Sequence, residues 1–322
     1  MMRDEHILVD PVNERTLSLV IATALHTLHP KAGVRVEHSL DDGLYCEFDN
    51  IRCDDALRAE MEAKVTEIID QKQRIERRYM DREAAAQLFA RAGMEDKAAN
   101  IRHSRDARCP IDRLCGLDDH MYGDLPPHAG ILPRVYVRQM MHGLWFGFHG
   151  SPKPQDKLLA VYDAFERWGR RLGINNVPQL NAAAKQEGID TLIAMSEAQI
   201  ERQLVKLADT IVSMQPLRRF VLISGPSSAG KTTFSRRLKI HLRILGFQPQ
   251  ALSMDDFFRD RCEYPRLADG SYDLESPKTL DLPLLSETVK GLLAGKEMPI
   301  PSFHFAKGCR EWKGRTMRLR EN

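Results

Sequence analysis

The residue pattern best suited to chemistry lies between positions 225 and 233. It matches G-x-x-x-x-G-K-[ST] at every fixed position, in a stretch that reads Gly225, Pro226, Ser227, Ser228, Ala229, Gly230, Lys231, Thr232 and Thr233. Small residues let consecutive backbone N–H groups curl around a phosphate, and the start of a helix adds positive partial charge. In such a loop the lysine contacts the β and γ phosphates, and the hydroxyl of the next residue binds Mg²⁺. The pattern predicts that residues 225–233 bind ATP, that Thr232 binds Mg²⁺ and that Lys231 takes part in catalysis.

Three further groups of residues follow this loop in a fixed order. Asp255 lies in the stretch Ser-Met-Asp-Asp-Phe-Phe, Glu275 in Tyr-Asp-Leu-Glu-Ser-Pro, and Phe303 with Phe305 in Pro-Ile-Pro-Ser-Phe-His-Phe. Together with the loop, these stretches resemble the uridine kinase and phosphoribulokinase family over residues 217–322. The resemblance implies a P-loop kinase that transfers a phosphoryl group from ATP to a hydroxyl of a small acceptor, a nucleoside.

The same resemblance implies a role for each matching residue. Asp255 falls on the family's catalytic aspartate, which takes the proton of the acceptor hydroxyl as a general base. This carboxylate could instead hold Mg²⁺ through water, or could cap a helix, a role that suits Asp256 better. Glu275 falls where an acid accepts hydrogen bonds from ribose hydroxyls, and Phe303 and Phe305 fall where aromatic rings flank the base. Core packing is the alternative for both phenylalanines, because aromatic side chains are commonly buried for their area alone.

The position of the last residue, Asn322, leads to a second hypothesis. The family continues beyond this point with a strand, an acidic motif and an arginine-bearing lid, and phosphoryl transfer needs cationic groups on the developing charge. We therefore expect only the first half of a kinase domain here. The alternative function is a catalytically silent nucleotide-binding module that is regulatory or associated with RNA.

The N-terminal half carries other motifs. They are the stretches 42–49 and 75–78, the stretch 82–89, and the glycines Gly123 and Gly130. These motifs resemble the editing-type domain that lies second in threonyl-tRNA synthetases, over residues 15–150. The resemblance implies that a working domain has His-x₃-His and Cys-x₃-His at its centre. A non-catalytic domain is expected, because those four positions are occupied by Thr16, Val20, Met121 and Leu125.

The predicted elements around the phosphate loop form a βαβ unit. Residues 218–225 and residues 249–254 are strand candidates, and a helix between them begins at Lys231 and ends at Gly246. This order predicts an α/β P-loop domain with a parallel sheet that is incomplete at its C-terminus.

The preceding residues predict an α+β domain and a helical connector. Strands at 33–39 and 42–50 flank a turn, and a helix capped by Asp54 or Asp55 follows. The apolar residues Leu57, Met61, Val65, Ile68 and Ile69 fall on one face of this predicted helix. Residues 152–215 are mostly helical, with a capping box at Ser196 and Gln199 and a helix end at Pro216. The predicted domains are residues 1–150, 151–216 and 217–322.

Composition excludes several classes of protein. The 322 residues are 43% hydrophobic and 29% charged, as in globular proteins. A net charge of +2 gives no electrostatic reason to expect nucleic acid or a membrane as partner. Composition is compatible with either a monomer or a homo-oligomer. Six scattered cysteines and the lack of a signal peptide predict a cytoplasmic protein with reduced thiols. The group His103, Cys109, Cys115 and His120 lacks the ligand spacing of a structural zinc site.

Overall fold

The computed structural model of the protein describes residues 10–186, 188–226, 228–274 and 276–319. The chain divides into two units, Met1–Gly188 and Ile189–Asn322. No helix within the described ranges has the length and apolar character that a membrane crossing requires. The domain boundaries at residues 150 and 216 remain predictions.

An antiparallel sheet of four strands lies at the centre of the first unit, with a second sheet of three strands beside it. Their strand orders are β1-β2-β7-β6 and β3-β4-β5. In chain order the elements are α1 (Pro11–Leu28), β1 (Gly33–Leu40), β2 (Gly43–Asp49), α2 (Asp55–Asp70), β3 (Glu76–Asp81), α3 (Arg82–Arg91), α4 (Glu95–His103), β4 (Arg108–Leu114), β5 (Leu117–Asp119), β6 (Tyr136–Met140), β7 (Gly143–Gly147), α5 (Asp156–Leu172) and α6 (Val177–Gln186).

Helices α1 and α2 bury one face of the four-stranded sheet. The carboxylate of Asp54 caps α2 by accepting hydrogen bonds from the N–H groups of Ala56 and Leu57, both at 3.1 Å. Burial of a large apolar side chain contributes roughly 1.5–3 kcal/mol, so this face of α2 stabilises the unit strongly. The predicted helix is confirmed, and its buried residues are Leu57, Met61, Val65, Ile68 and Ile69.

The predicted hairpin is also confirmed. Strands β1 and β2 are antiparallel, and Leu40 pairs with Gly43 across a turn in which Asp41 has a φ of 53°. On the sheet face away from α1 and α2, Trp145 of β7 and Tyr162 of α5 lie in one apolar cluster with Leu40 and Tyr45. The indole N–H of Trp145 donates to the carbonyl of Leu40 at 2.9 Å. The first unit is therefore α+β, as expected.

The second unit is mainly helical, with short antiparallel strands. Its strands pair as β8 with β11 and as β9 with β10. The predicted start of the long helix at Ser196 is wrong, because α7 begins at Ile189. The elements are α7 (Ile189–Ser213), α8 (Lys231–Ile244), α9 (Leu282–Leu293), β8 (Met298–Pro299), β9 (Ser302–His304), β10 (Cys309–Glu311) and β11 (Thr316–Met317).

The predicted parallel sheet of this unit is not observed. Residues 218–225 and 249–254 form no strand, and the sheets of the described residues are antiparallel. A parallel strand needs hydrogen-bonded neighbours and cover on both faces. Phe220, Val221 and Leu222 are instead exposed, and Ile223 alone of this apolar run packs against the helices. The apolar sequence signals a strand here, but the described chain supplies no partner for it.

Candidate functional site

The phosphate loop leads directly into α8. Its backbone curls through positive φ angles at Ser228 (59°) and Gly230 (77°), and α8 begins at Lys231. The ammonium group of Lys231 donates to the carbonyls of Gly225 at 2.9 Å and Pro226 at 2.7 Å. A charged group therefore lies inside the loop, next to the N–H groups at the start of a helix. The side chains of Thr232 and Thr233, and of Ser228 and Ala229, are exposed.

Helix α7 holds α8 in place. The carboxylate of Glu201 on α7 forms an ion pair with Arg237 and lies 2.5 Å from Nε2 of His241, one turn further along α8. These hydrogen bonds, first from His241 and then from Arg237, keep the pKa of Glu201 below its usual value. Buried apolar residues complete the contact between the two helices: Leu204, Ala208, Ile211 and Leu238.

Asp255 lies in a short 3₁₀ turn, Met254–Phe257. The cap of this turn is Ser253, whose hydroxyl accepts a hydrogen bond from the N–H of Asp255 at 3.3 Å. Asp256 is paired with Arg315 at 2.9 Å. The side chain of Asp255 is exposed, so neither aspartate is the cap and Asp255 faces solvent.

Phe303 and Phe305 belong to an aromatic cluster. Their ring centroids are 5.2 Å apart, and the ring of Phe258 lies 5.5 Å from Phe303 and 6.3 Å from Phe305. Phe303 is buried while Phe305 is exposed. Two other predicted site residues, Ser227 and Glu275, lie outside the described residues.

Arg310 joins this region to the start of α9, a role that the sequence patterns did not indicate. Its guanidinium lies 2.9 Å from the carboxylate of Asp281 and donates to the carbonyl of Phe258 at 3.0 Å. Partial burial alone would raise the pKa of Asp281. The hydrogen bond from the Leu284 N–H and the ion pair with Arg310 outweigh burial, and the pKa lies below its usual value.

A second candidate site lies on the first unit, around a buried ion pair. The guanidinium of Arg77 on β3 donates two hydrogen bonds to Asp112 on β4, at 2.7 and 3.0 Å. The Asp112 side chain is fully buried. Because the pair is bidentate, the arginine is held in one orientation, and the pKa of Arg77 is raised mainly by Asp112.

The surface beside this ion pair combines a cation with exposed aromatic rings. The Nε of Arg15 on α1 donates to the backbone carbonyl of Asp124 at 3.0 Å, so its hydrogen-bond partner is an uncharged group. Tyr79 lies two residues from Arg77, on the same face of β3, and is exposed. Tyr122 is also exposed, with its ring 4.7 Å from that of His120. We call this the Arg77 surface, made of Arg15, Arg77, Tyr79, His120, Tyr122 and Asp124.

The four positions expected to lack hydrolytic groups pack next to this surface. Thr16 and Val20 are completely buried in α1, and the Thr16 hydroxyl donates to the Val12 carbonyl at 2.6 Å. Met121 and Leu125 are half-buried against the apolar core of the unit. Within the described residues no group of three or more His, Cys, Asp or Glu side chains could hold a metal ion.

Comparison with known proteins identifies relatives for part of the chain. No sequence model of a known protein family matches it. A threonine–tRNA ligase of Paramagnetospirillum magneticum is 35% identical over 101 residues, which are 30% of this chain and 15% of the ligase. Those of Halorhodospira halophila and Nitrosococcus oceani are 28% and 27% identical over 171 residues, 48% of this chain. The chain spans 27% and 26% of these two ligases.

These relatives overturn the kinase assignment. They are ligases and not uridine kinases, so the predicted fusion with a kinase of that family is wrong, as is an ATP-dependent kinase activity. The expectation of a nucleoside partner without nucleic acid is wrong for the same reason, since each relative is named for tRNA. Phosphate-loop patterns are shared by many protein classes, so the motif at 225–232 did not by itself identify a kinase.

Proposed function

We propose that the first unit binds the acceptor end of a tRNA without hydrolysing the ester of an attached amino acid. The observation that carries this proposal is the similarity to threonine–tRNA ligases. We assign that similarity to the first unit because the motifs at 42–49, 75–78 and 82–89 lie there.

The chemistry of the Arg77 surface supports this assignment. Single-stranded RNA is held by aromatic rings on which bases stack and by cations that contact its phosphates. Tyr79 and Tyr122 are exposed rings, and Arg15 is a cation whose hydrogen-bond partner is uncharged. The two hydrogen bonds between Arg77 and Asp112 join β3 to β4, so Tyr79 lies on a rigid strand pair.

Replacing the exposed rings tests the proposal. Tyr79→Ala and Tyr122→Ala should each weaken tRNA binding by about 1–3 kcal/mol, or roughly 5- to 150-fold in Kd, because one stacked base is lost. Fluorescence anisotropy with labelled tRNA measures this. The matched control is Trp312→Ala, which removes an equally exposed ring from the second unit. Affinity that is unchanged in both tyrosine variants would refute the proposed surface.

For the second unit we propose that the loop at 225–233 binds the phosphates of ATP, with Mg²⁺ on the Thr232 hydroxyl. Three features of the loop support ATP binding: its positive φ angles, the start of α8 directly after it, and the ammonium group of Lys231 inside it. Bound phosphate oxygens would replace the Gly225 and Pro226 carbonyls as acceptors for Lys231.

Calorimetric titration of MgATP tests this second proposal. Lys231→Ala should abolish or greatly weaken binding, because the point charge on the phosphates is lost. Lys239→Ala removes a lysine two turns further along α8 and should bind like wild type. Equal affinity of the Lys231 variant and wild type would mean that the loop has no role in binding ATP.

A further inference from the structure

Two arginine side chains meet at the turn formed by Gly123 and Asp124. The Nε of Arg15 donates to the carbonyl of Asp124 at 3.0 Å, and the Nη1 of Arg77 lies 3.9 Å from the Asp124 carboxylate. Gly123 has a φ of 95°, and a Cβ atom at this position would lie only 3.0 Å from the Cζ of Arg15. The turn therefore needs glycine here for Arg15 to approach it so closely.

Both guanidinium groups are anchored and still have donors that no protein group takes up. Arg77 uses Nε and Nη2 for its two hydrogen bonds to Asp112, which leaves Nη1. Arg15 uses Nε for the carbonyl of Asp124, which leaves both of its Nη atoms. Within the described ranges no carboxylate lies at ion-pair distance from Arg15. A ligand would meet donors that are already oriented, so little side-chain entropy would be lost on binding.

The carboxylate of Asp124 is a weak partner for these donors. Its side chain is fully exposed, and its separation of 3.9 Å from Arg77 exceeds the length of a hydrogen bond. Water and salt screen exposed pairs of this kind. The oxygens of a phosphate group can accept from two guanidinium groups at once, in the planar geometry that arginine favours. A phosphate would therefore compete successfully with this carboxylate.

We propose that Arg15 and Arg77 form a binding site for one phosphate group of the RNA chain, and that the carboxylate of Asp124 competes with that phosphate. This inference rests on the proposed binding of tRNA by the first unit. It places one backbone phosphate next to the exposed ring of Tyr79, on the same face of β3 as Arg77. Phosphate contacts fix the position of a nucleic acid, while aromatic rings hold its bases.

Removal of the competing charge tests the site. Asp124→Asn should bind tRNA about 2- to 5-fold more tightly than wild type, because no carboxylate then opposes the phosphate. Asp209→Asn is the control, since it changes the net charge equally at an exposed position on α7 of the second unit. Fluorescence anisotropy at one salt concentration measures the affinities. An Asp124→Asn variant that binds no more tightly than Asp209→Asn overturns the proposal.

The dependence of binding on salt separates a phosphate contact from a structural role. Arg15→Gln should weaken tRNA binding and make log K fall less steeply with log salt concentration, by about 0.7–0.9 in slope for one lost phosphate contact. Glutamine keeps an N–H donor for the carbonyl of Asp124. Arg52→Gln, at an exposed position between β2 and α2, should leave the slope unchanged. Weaker binding by Arg15→Gln with an unchanged slope would mean that Arg15 contacts no phosphate.

The outcomes distinguish this inference from the function on which it rests. If wild type binds tRNA and Tyr79→Ala weakens it, but Asp124→Asn matches its control, the phosphate site is refuted and tRNA binding stands. If wild type binds no tRNA, both are refuted. Inorganic phosphate tests the source of the bound group: about 1 mM at constant ionic strength should not displace tRNA, because a free ion has no bases to stack. Displacement would assign the site to the free ion and refute an RNA phosphate.

Discussion

At the scale of single residues, the Arg77–Asp112 pair places a fully buried charge between two strands of the first unit. Two hydrogen bonds join a fully buried carboxylate to a guanidinium that is 21% exposed. Removing Arg77 would leave the fully buried carboxylate of Asp112 without its charged partner, whereas Arg77 itself is partly exposed and lies 3.9 Å from Asp124. The pair thus links β3, which carries the exposed ring of Tyr79, to β4.

We predict that Arg77→Ala lowers the free energy of unfolding by about 3–5 kcal/mol, because it leaves the buried Asp112 carboxylate without its charged partner. Chemical unfolding followed by circular dichroism measures the change. Glu60→Ala is the control, since it breaks a solvent-exposed pair with His29 and should change stability by less than about 1 kcal/mol. Similar values for the two variants would show that the Arg77 pair contributes no more than a surface pair.

Sequence patterns could identify some of these residues but not their partners. The phosphate loop can be recognised from the sequence because its residues are contiguous. Tyr79, by contrast, belongs to no motif that would identify it. Arg77 and Asp112 are 35 residues apart, and their pairing depends on the register of β3 on β4. Local patterns carry no information about such a register.

At the scale of elements, Asp281 connects α9 to β10. Its carboxylate caps α9 by accepting from the N–H of Leu284 at 3.1 Å, and it pairs with Arg310. The pKa of Asp281 is lower in the folded protein than in the unfolded chain, where it is about 4. The ionised carboxylate therefore contributes its full stabilisation above about pH 4. The contribution is lost as the pH falls through the lower folded value.

Asp281→Asn should therefore be less stable than wild type at neutral pH, and the difference should shrink below about pH 4. Asn keeps an acceptor for the cap but removes the charge that pairs with Arg310. Urea unfolding between about pH 3 and pH 7 measures it. Asp209→Asn, an exposed position on α7, should follow wild type across this range. A difference between Asp281→Asn and wild type that does not vary with pH would contradict the assignment.

Elements were predictable from the sequence where local pattern and tertiary packing agree. Helix α2 has both a cap at Asp54 and one apolar face, and its five apolar residues are buried as expected. Residues 218–225 have strand composition, but a strand also needs partners that no local pattern provides. Local pattern also misplaced the start of α7. The capping box at Ser196 lies inside this helix, which begins at Ile189.

At the scale of the whole molecule, we predict binding of tRNA without hydrolysis. The positions that the editing-domain resemblance associates with histidine and cysteine are filled by Thr16, Val20, Met121 and Leu125, and they pack in or against the core. Incubation of the chain with seryl-tRNA should release serine at the uncatalysed rate. Faster release would show that other residues of the first unit form a hydrolytic centre.

The most direct test of the proposed function compares an intact tRNA with the same tRNA after removal of its single-stranded 3′ end. If bases of that end stack on Tyr79 and Tyr122, the trimmed tRNA should bind about 5- to 150-fold more weakly for each stacked base that is lost. Both affinities should be measured at one salt concentration, since phosphate contacts depend on salt. Equal affinities for the two tRNAs, or no binding of the intact one, would contradict recognition of the acceptor end by the first unit.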